Sequence, residues 1–166
     1  ATVGVIAIFG SQTQAATTGW NETVGGTYSY TDTSKWVGGT INGIFDPSLT
    51  IDGAQALTFG ADYTLLTPLS FRYNASGSFD ITLRSDGTAA RTLTLGGNVL
   101  VDTALDRTLN IGSTTANQGL VVNLGGATRT FEVTTSSSKI LNLRNGIIGT
   151  NATDGIIKTL SLIHIS

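Results

Sequence analysis

The chain has 166 residues, enough for one domain, and 40% of them are apolar, too many for a disordered segment. Only 12% are charged, and the net charge of −2 is scattered without a basic cluster, so a nucleic-acid surface is excluded. There is no cysteine, which excludes disulfides and thiolate metal sites, and no methionine, even at position 1.

Residues 1–15 read as the remnant of a signal peptide. Ala1 to Gly10, ATVGVIAIFG, is a short uncharged apolar run. SQTQA follows, with Thr13 and Ala15 spaced like the small residues at −3 and −1 of a signal-peptidase cut. The Met and the basic start of such a peptide are missing, and the same run would also serve as a buried first strand. It is too short for a transmembrane helix.

Residues 16–47 are expected to form an irregular N-terminal cap. Trp20 and Trp36 lie here, Tyr28 and Tyr30 share one face of a strand, and Gly25-Gly26, Gly38-Gly39 and Asn42-Gly43 are turn signals. Asp46-Pro47 closes the region. A stacked array needs such an atypical unit to cover its open end.

Residues 48–159 carry a rhythm of apolar–polar–apolar pieces: Leu57-Thr58-Phe59, Phe79 to Leu83, Leu93-Thr94-Leu95, Leu109-Asn110-Ile111, Leu120 to Leu124, Phe131-Glu132-Val133 and Leu141-Asn142-Leu143. This is the period-2 pattern of half-buried strands, and no helical spacing interrupts it. Arg91-Thr92-Leu93-Thr94-Leu95 recurs from Arg107 and again from Arg129, and Leu95-Gly96-Gly97-Asn98 is echoed at Leu124. A near-period of about 20 residues points to a solenoid. The expected fold is all-β, a parallel β-helix (β-solenoid) of roughly five or six coils, about 25–30 Å tall. An antiparallel β-sandwich is the alternative, since the same strands and Asp-Gly turns would build it.

"GWNETVGGTYSYTDTSKWVGGTING", "ALTFGADYTL", "RTLTLGGNVLVDT", "GLVVNLGGATRTFEV" and "GIIKT" together resemble bacterial autotransporter-associated β-strand repeat proteins, over about residues 19–159. The resemblance implies a large secreted or surface-displayed protein built mostly of parallel β-helix. The tail at residues 160–166, LSLIHIS, resembles the translation of a transposase mosaic-end sequencing adapter, so it is set aside as an artefact. A true final strand is the other reading, because LSLIHI alternates.

With His164 set aside, residues 1–159 hold neither histidine nor cysteine, and imidazole or thiolate catalysis has no residue to use. Asp102 with Asp106, or Asp80 with Asp86, are the carboxylate pairs to consider for glycoside hydrolysis. Asp52, Asp86 and Asp154 each precede glycine, which is ordinary turn chemistry. Gly96-Gly97-Asn98-Val99 and Gly125-Gly126-Ala127-Thr128 lack the third glycine and the aspartate of a calcium-binding roll. Asn21, Asn74 and Asn151 begin glycosylation-like triplets, which a chain rich in Asn, Thr and Ser contains by chance. Trp20, Tyr28, Tyr30 and Trp36 are the candidates for contact with a sugar or surface; the competing role is to plug the end of the rod. Arg91, Arg107 and Arg129 read as a ladder on the outer wall.

The expected function is that of an N-terminal passenger fragment: a non-catalytic structural stalk or adhesin, secreted or on the bacterial cell surface. No cofactor is expected. Its partner would be an extracellular surface or polysaccharide, with an outer-membrane anchor outside these residues. A carbohydrate-active β-helix enzyme and a carbohydrate-binding β module are the alternatives.

Overall fold

A computed structural model describes residues 18–45, 49–72, 74–75, 79–102, 108–134, 140–159 and 163–165. The signal-peptide reading, Asp46-Pro47, Asp106, Arg107 and Leu160 to Leu162 lie outside the described residues.

Short strands follow one another around three faces. The first coil holds β1 (Val24–Ser29), two 3-10 turns (Thr33–Lys35 and Val37–Gly39) and β2 (Ile44–Phe45). Then come β3 (Thr50–Phe59), β4 (Tyr63–Leu65), β5 (Leu69–Phe71) and the short β6 (Asn74–Ala75). The next two coils are β7 (Ile81–Ser85), β8 (Arg91–Leu95), β9 (Val99–Val101), and β10 (Thr108–Ile111), β11 (Leu120–Asn123), β12 (Arg129–Val133). The last comprises β13 (Ile140–Leu143), β14 (Ile147–Ile148) and β15 (Ile156–Thr159), followed by β16 (Ile163–Ile165).

Face one stacks β1-β3-β7-β10-β13-β16, face two β4-β8-β11-β14, and face three β2-β5-β9-β12-β15. Every pairing between these strands is parallel. The protein is therefore a three-faced parallel β-helix, and the antiparallel sandwich is excluded. The antiparallel contacts among the described residues are two single bridges, Gly19 to Phe45 and Trp20 to Trp36.

Three sequence-based expectations need correction. Among the described residues four complete three-strand coils follow the first, not five or six, so the stacked height is about 20 Å at ~4.8 Å per coil. Phe45, Phe71, Val101 and Val133 lie above one another on face three. Their spacings of 26, 30 and 32 residues replace the 20-residue period. The Arg-Thr echo does not mark equivalent places in successive coils. Its copies fall on β8, β10 and β12, one on each face, so Arg91 and Arg129 belong to different sheets and form no ladder. Arg91 pairs in register with Leu120, and Arg129 with Ile156.

The Gly-Gly echo is different. Both copies follow a face-two strand and turn the chain onto face three. At the second, Gly125 has φ +67°, and a Cβ there would sit 2.5 Å from Leu95 O of the coil above. Only glycine permits both the left-handed turn and that approach.

Inward residues stack like on like. Leu57, Leu83, Ile111 and Leu143 form a buried column on face one. The rings of Phe45 and Phe71 stack at 4.4 Å on face three. One buried polar side chain ties the first coil to the second. Gln55 is 2% exposed; its Oε1 accepts from Trp20 Nε1 at 3.0 Å, and its Nε2 donates to Glu22 O and Val24 O at 2.9 Å each.

Gln55→Ala strips partners from a buried indole N–H and two carbonyls. It is expected to cost about 3 kcal/mol and to lower Tm by roughly 6–12 °C in a thermal melt. Phe71→Ala is expected to cost about 3–5 kcal/mol by opening the aromatic stack. Leu66→Ser, at a side chain 84% exposed, is the control and should stay within about 0.5 kcal/mol.

Candidate functional site

The aromatic residues singled out in the sequence meet at the first coil, but mostly out of solvent. Trp20, Tyr30 and Trp36 are buried at 0%, 0% and 3% exposure. The Trp20 ring lies edge-on to Trp36 at 5.2 Å and to Tyr28 at 5.9 Å. Trp36 Nε1 donates to Tyr30 O at 2.9 Å, and the Tyr30 ring stacks on Phe59 at 4.6 Å. Burial pushes the Tyr30 hydroxyl far above its usual pKa, and this oxygen has no hydrogen-bond partner among the described residues. Tyr28 alone is half-exposed. Its hydroxyl donates to Val24 O at 2.9 Å, and the ammonium of Lys35, paired with Glu22 at 2.9 Å, lies 5.6 Å from its ring centre. A sugar-stacking platform needs an open ring face. These four side chains fill the end of the core and leave no flat face of that kind.

The carboxylates are committed to loops. Asp80 and Asp86 flank β7 at opposite ends, so they sit roughly 20 Å apart along a strand, beyond the ~6.5–9.5 Å of an inverting pair. Asp80 accepts from Thr108 N at 3.3 Å. Asp86 caps its own turn, accepting from Thr88 N at 3.0 Å and Thr88 Oγ1 at 2.7 Å. Asp102 takes the hydroxyl of Thr134 and pairs with Arg72 at 3.6 Å. Asp154 accepts from Thr150 N at 2.6 Å and Asn151 N at 3.0 Å. No group of three or more His, Cys, Asp or Glu is placed to hold a metal among the described residues.

A polar cleft on face one was not anticipated from the sequence. Its floor is Thr82 and Asn110, outward residues in register on neighbouring strands, with Asn142 next in the same row. Asn142 Nδ2 donates to Asn110 Oδ1 at 2.9 Å, and Asn110 is only 7% exposed. The wall is the loop from Gly112 to Gly119, the longest connection between faces one and two. The cleft has a volume of about 270 Å³ and is lined by Thr82, Asn110 and Arg144, with Gly112 to Thr115 along the wall.

That wall is fixed from both sides. Below it, Asn145 Oδ1 accepts from Ser113 N at 2.9 Å and Leu120 N at 3.0 Å, while Asn145 Nδ2 donates to Ser113 O at 3.2 Å. Above it, Gln118 O accepts from Ser85 N at 3.2 Å and Gly119 O from Arg91 N at 3.0 Å. Gly112 has φ +93°, and a Cβ there would collide with Asn145 Oδ1. Arg144 Nε donates to Asn110 Oδ1 at 3.1 Å, and the guanidinium has no acidic partner among the described residues. The sequence signals for it are the outward Asn in β10 and in β13 and the eight-residue corner that joins β10 to β11.

The turn aspartates set an acid limit on the fold. Asp32, Asp86 and Asp154 are held below the ordinary carboxyl value of 3.8. The largest causes are the Ser34 hydroxyl for Asp32, the Thr88 amide for Asp86 and the Asn151 amide for Asp154. A carboxyl depressed in the folded state contributes stability above its unfolded pKa, and that stability is lost as pH falls through the folded value. Tm is thus expected to hold from neutrality down to the 3.8 region and to fall below it. The double variant Asp86→Asn with Asp154→Asn should flatten that fall in melts run against pH.

Comparison of the chain with protein-family models, with curated proteins and with solved structures finds no match in any of the three.

Proposed function

We propose that the chain is a segment of a secreted or cell-surface bacterial passenger of the autotransporter-associated β-strand repeat type, working as a non-catalytic stalk or adhesin. The observation that supports this is the continuous parallel stack. Each added coil lengthens the rod by about 4.8 Å, and corner loops can change without disturbing the core. The outer wall, with Thr58, Thr82, Thr94 and Thr130 among its outward side chains, suits exposure to water and contact through hydroxyls. The resemblance in sequence points the same way.

Contact with a polysaccharide is favoured over its cleavage. The cleft carries amide, hydroxyl and guanidinium groups but no carboxylate in its lining, so it offers no acid–base pair. A carbohydrate-binding module built on Trp20 and Trp36 is disfavoured by their burial.

Display is tested by probing intact cells of the source bacterium with antibodies raised against the purified chain. Labelling that disappears after protease shaving is the expected result. Labelling seen only after permeabilisation would overturn the reading. For the non-catalytic part, the purified chain is incubated with a panel of polysaccharides, and no new reducing ends are expected. The chain holds only two tryptophans, both buried, so oligosaccharide titration should leave their emission unchanged; quenching would return the sugar contact to the aromatic end.

A further inference from the structure

The cleft above face one has the chemistry of a small, pre-formed receptor for an anion that also carries hydroxyls. We propose that it binds one carboxylate-bearing sugar residue of an acidic polysaccharide. The carboxylate sits on the terminal nitrogens of Arg144, and the ring hydroxyls meet Thr82 and the Thr114-Thr115 wall. This deepens the adhesin reading and rests on it for its biological setting. The binding itself belongs to the purified chain, so it can fail while surface display holds, and the reverse.

Charge comes first. Arg144 lines the cleft, no carboxylate does, and no acidic group pairs with it among the described residues. A guanidinium without a counter-ion beside hydroxyls and amides favours an anion, and a carboxylate matches its planar fork with two parallel hydrogen bonds. Geometry then selects the edge of the fork. Nε is engaged by Asn110 Oδ1 at 3.1 Å, which leaves the Nη1 and Nη2 pair for an end-on carboxylate. Asn110 Oδ1 is itself held by Asn142 Nδ2 at 2.9 Å, so the guanidinium root is anchored to the stacked strands and little ordering is left for the ligand to impose.

Size and lining define the rest of the ligand. A volume of about 270 Å³ lies just under the ~300–1,000 Å³ typical of small-molecule pockets. That suits a single ring and not a bundle of chains. The lining has no aromatic ring and no aliphatic side chain beyond the threonine methyls, so an apolar or aromatic ligand finds no surface to bury. Ser113 is partly occupied, its hydroxyl lying 3.1 Å from Thr115 N and 3.5 Å from Gln118 Oε1. The Thr114 and Thr115 hydroxyls are left to meet a polyol, and Thr82, whose Oγ1 accepts from Asn110 Nδ2 at 3.5 Å, keeps its own proton to donate. The wall that presents two of them is fixed by Asn145 and Gln118, as described above, so the site exists before the ligand arrives.

The test is a titration of the isotope-labelled chain followed by two-dimensional NMR, using galacturonate, galactose, acetate and inorganic phosphate as separate probes. Galacturonate is expected to shift the amides of Gly112 to Thr115 and the side-chain signals of Asn110 and Arg144; galactose is expected to leave them in place. Arg144→Gln should weaken galacturonate at least tenfold without moving signals of the Leu57–Leu143 column, and Thr82→Val should weaken it severalfold. If Arg144→Gln fails to fold, Arg144→Lys, which keeps the charge but lacks the fork, is read instead with the same tenfold expectation. Equal binding of galactose, shifts confined to other residues, or unchanged affinity in the Arg144 variant would each overturn the proposal. Acetate or phosphate acting as strongly as galacturonate would overturn it too, by reducing the cleft to a simple anion site.

Discussion

Backbone hydrogen bonds between coils are the constraint on which everything else in this molecule depends. Most of its strands are two to five residues long, and a strand of that length cannot hold itself in water. Each one persists because a parallel neighbour lies above or below it in register, about 4.8 Å away. That spacing sets each inward side chain directly on the one in the next coil, and in several columns like meets like. The result is visible in Phe45 on Phe71, in the column through Leu57, Leu83, Ile111 and Leu143, and outside the core in Asn110 on Asn142.

The same constraint makes the two ends of the stack unlike its middle. Among the described residues no layer lies above the first coil, and there the ends of the Leu and Phe columns are covered by bulk. Trp20, Tyr30 and Trp36 fill that space edge to face, geometries worth about 0.5–1.5 kcal/mol per pair beyond burial. Gln55 supplies what aromatic packing cannot, a partner for the Trp20 N–H and for two carbonyls of the first coil. The last coil has different chemistry. Ile148, Ile156, Ile157 and Ile165 stay between 41% and 53% exposed, and Lys158 occupies the position beneath Phe131. Any apolar–polar–apolar triplet brought to the edge of β13 can satisfy its backbone, as Ile163 to Ile165 does, so pairing there depends on alternation and not on a particular sequence.

This explains what was legible in the sequence. Alternation over three to five residues announced β7, β8, β10, β12 and β13, because period 2 is a local property. β4, β5, β9 and β14 have only two or three residues each and went unseen, and the spacing near 20 came from Arg-Thr copies that lie two strands apart, β8 to β10 to β12, and not one coil of 26 to 32 residues apart. The Arg-Thr repeat misled for a related reason. It marks how a strand begins, and strands begin on all three faces. The Gly-Gly repeat was informative because only one corner, between faces two and three, forces a backbone against the coil above. The role of Gln55 was not legible, and the cleft showed only as separate parts, the outward Asn110 and Asn142 and one long corner. Both join residues about 30 apart through loops of unequal length, and pattern alone does not align such positions.

Loop length is where this fold can acquire specificity. Between faces one and two the connections are Gly60 to Asp62, Asp86 to Ala90, Gly112 to Gly119 and Arg144 to Gly146. Three, five, eight and three residues cover the same geometric corner, so the third must bulge outward while the coils on either side stay in register. A bulge of that kind costs little where loop-closure entropy grows only slowly with length, provided its backbone groups find partners. Here the short corner below supplies Asn145 as a clamp, and the neighbouring residue of that same corner, Arg144, is carried into the space the bulge creates. On a wall with so few charges, one unpaired guanidinium dominates the local potential within a Debye length of ~8–10 Å. A single corner insertion thus converts a uniform polar wall into a place with a sign, a shape and a fixed set of donors, without altering the core that keeps the coils stacked.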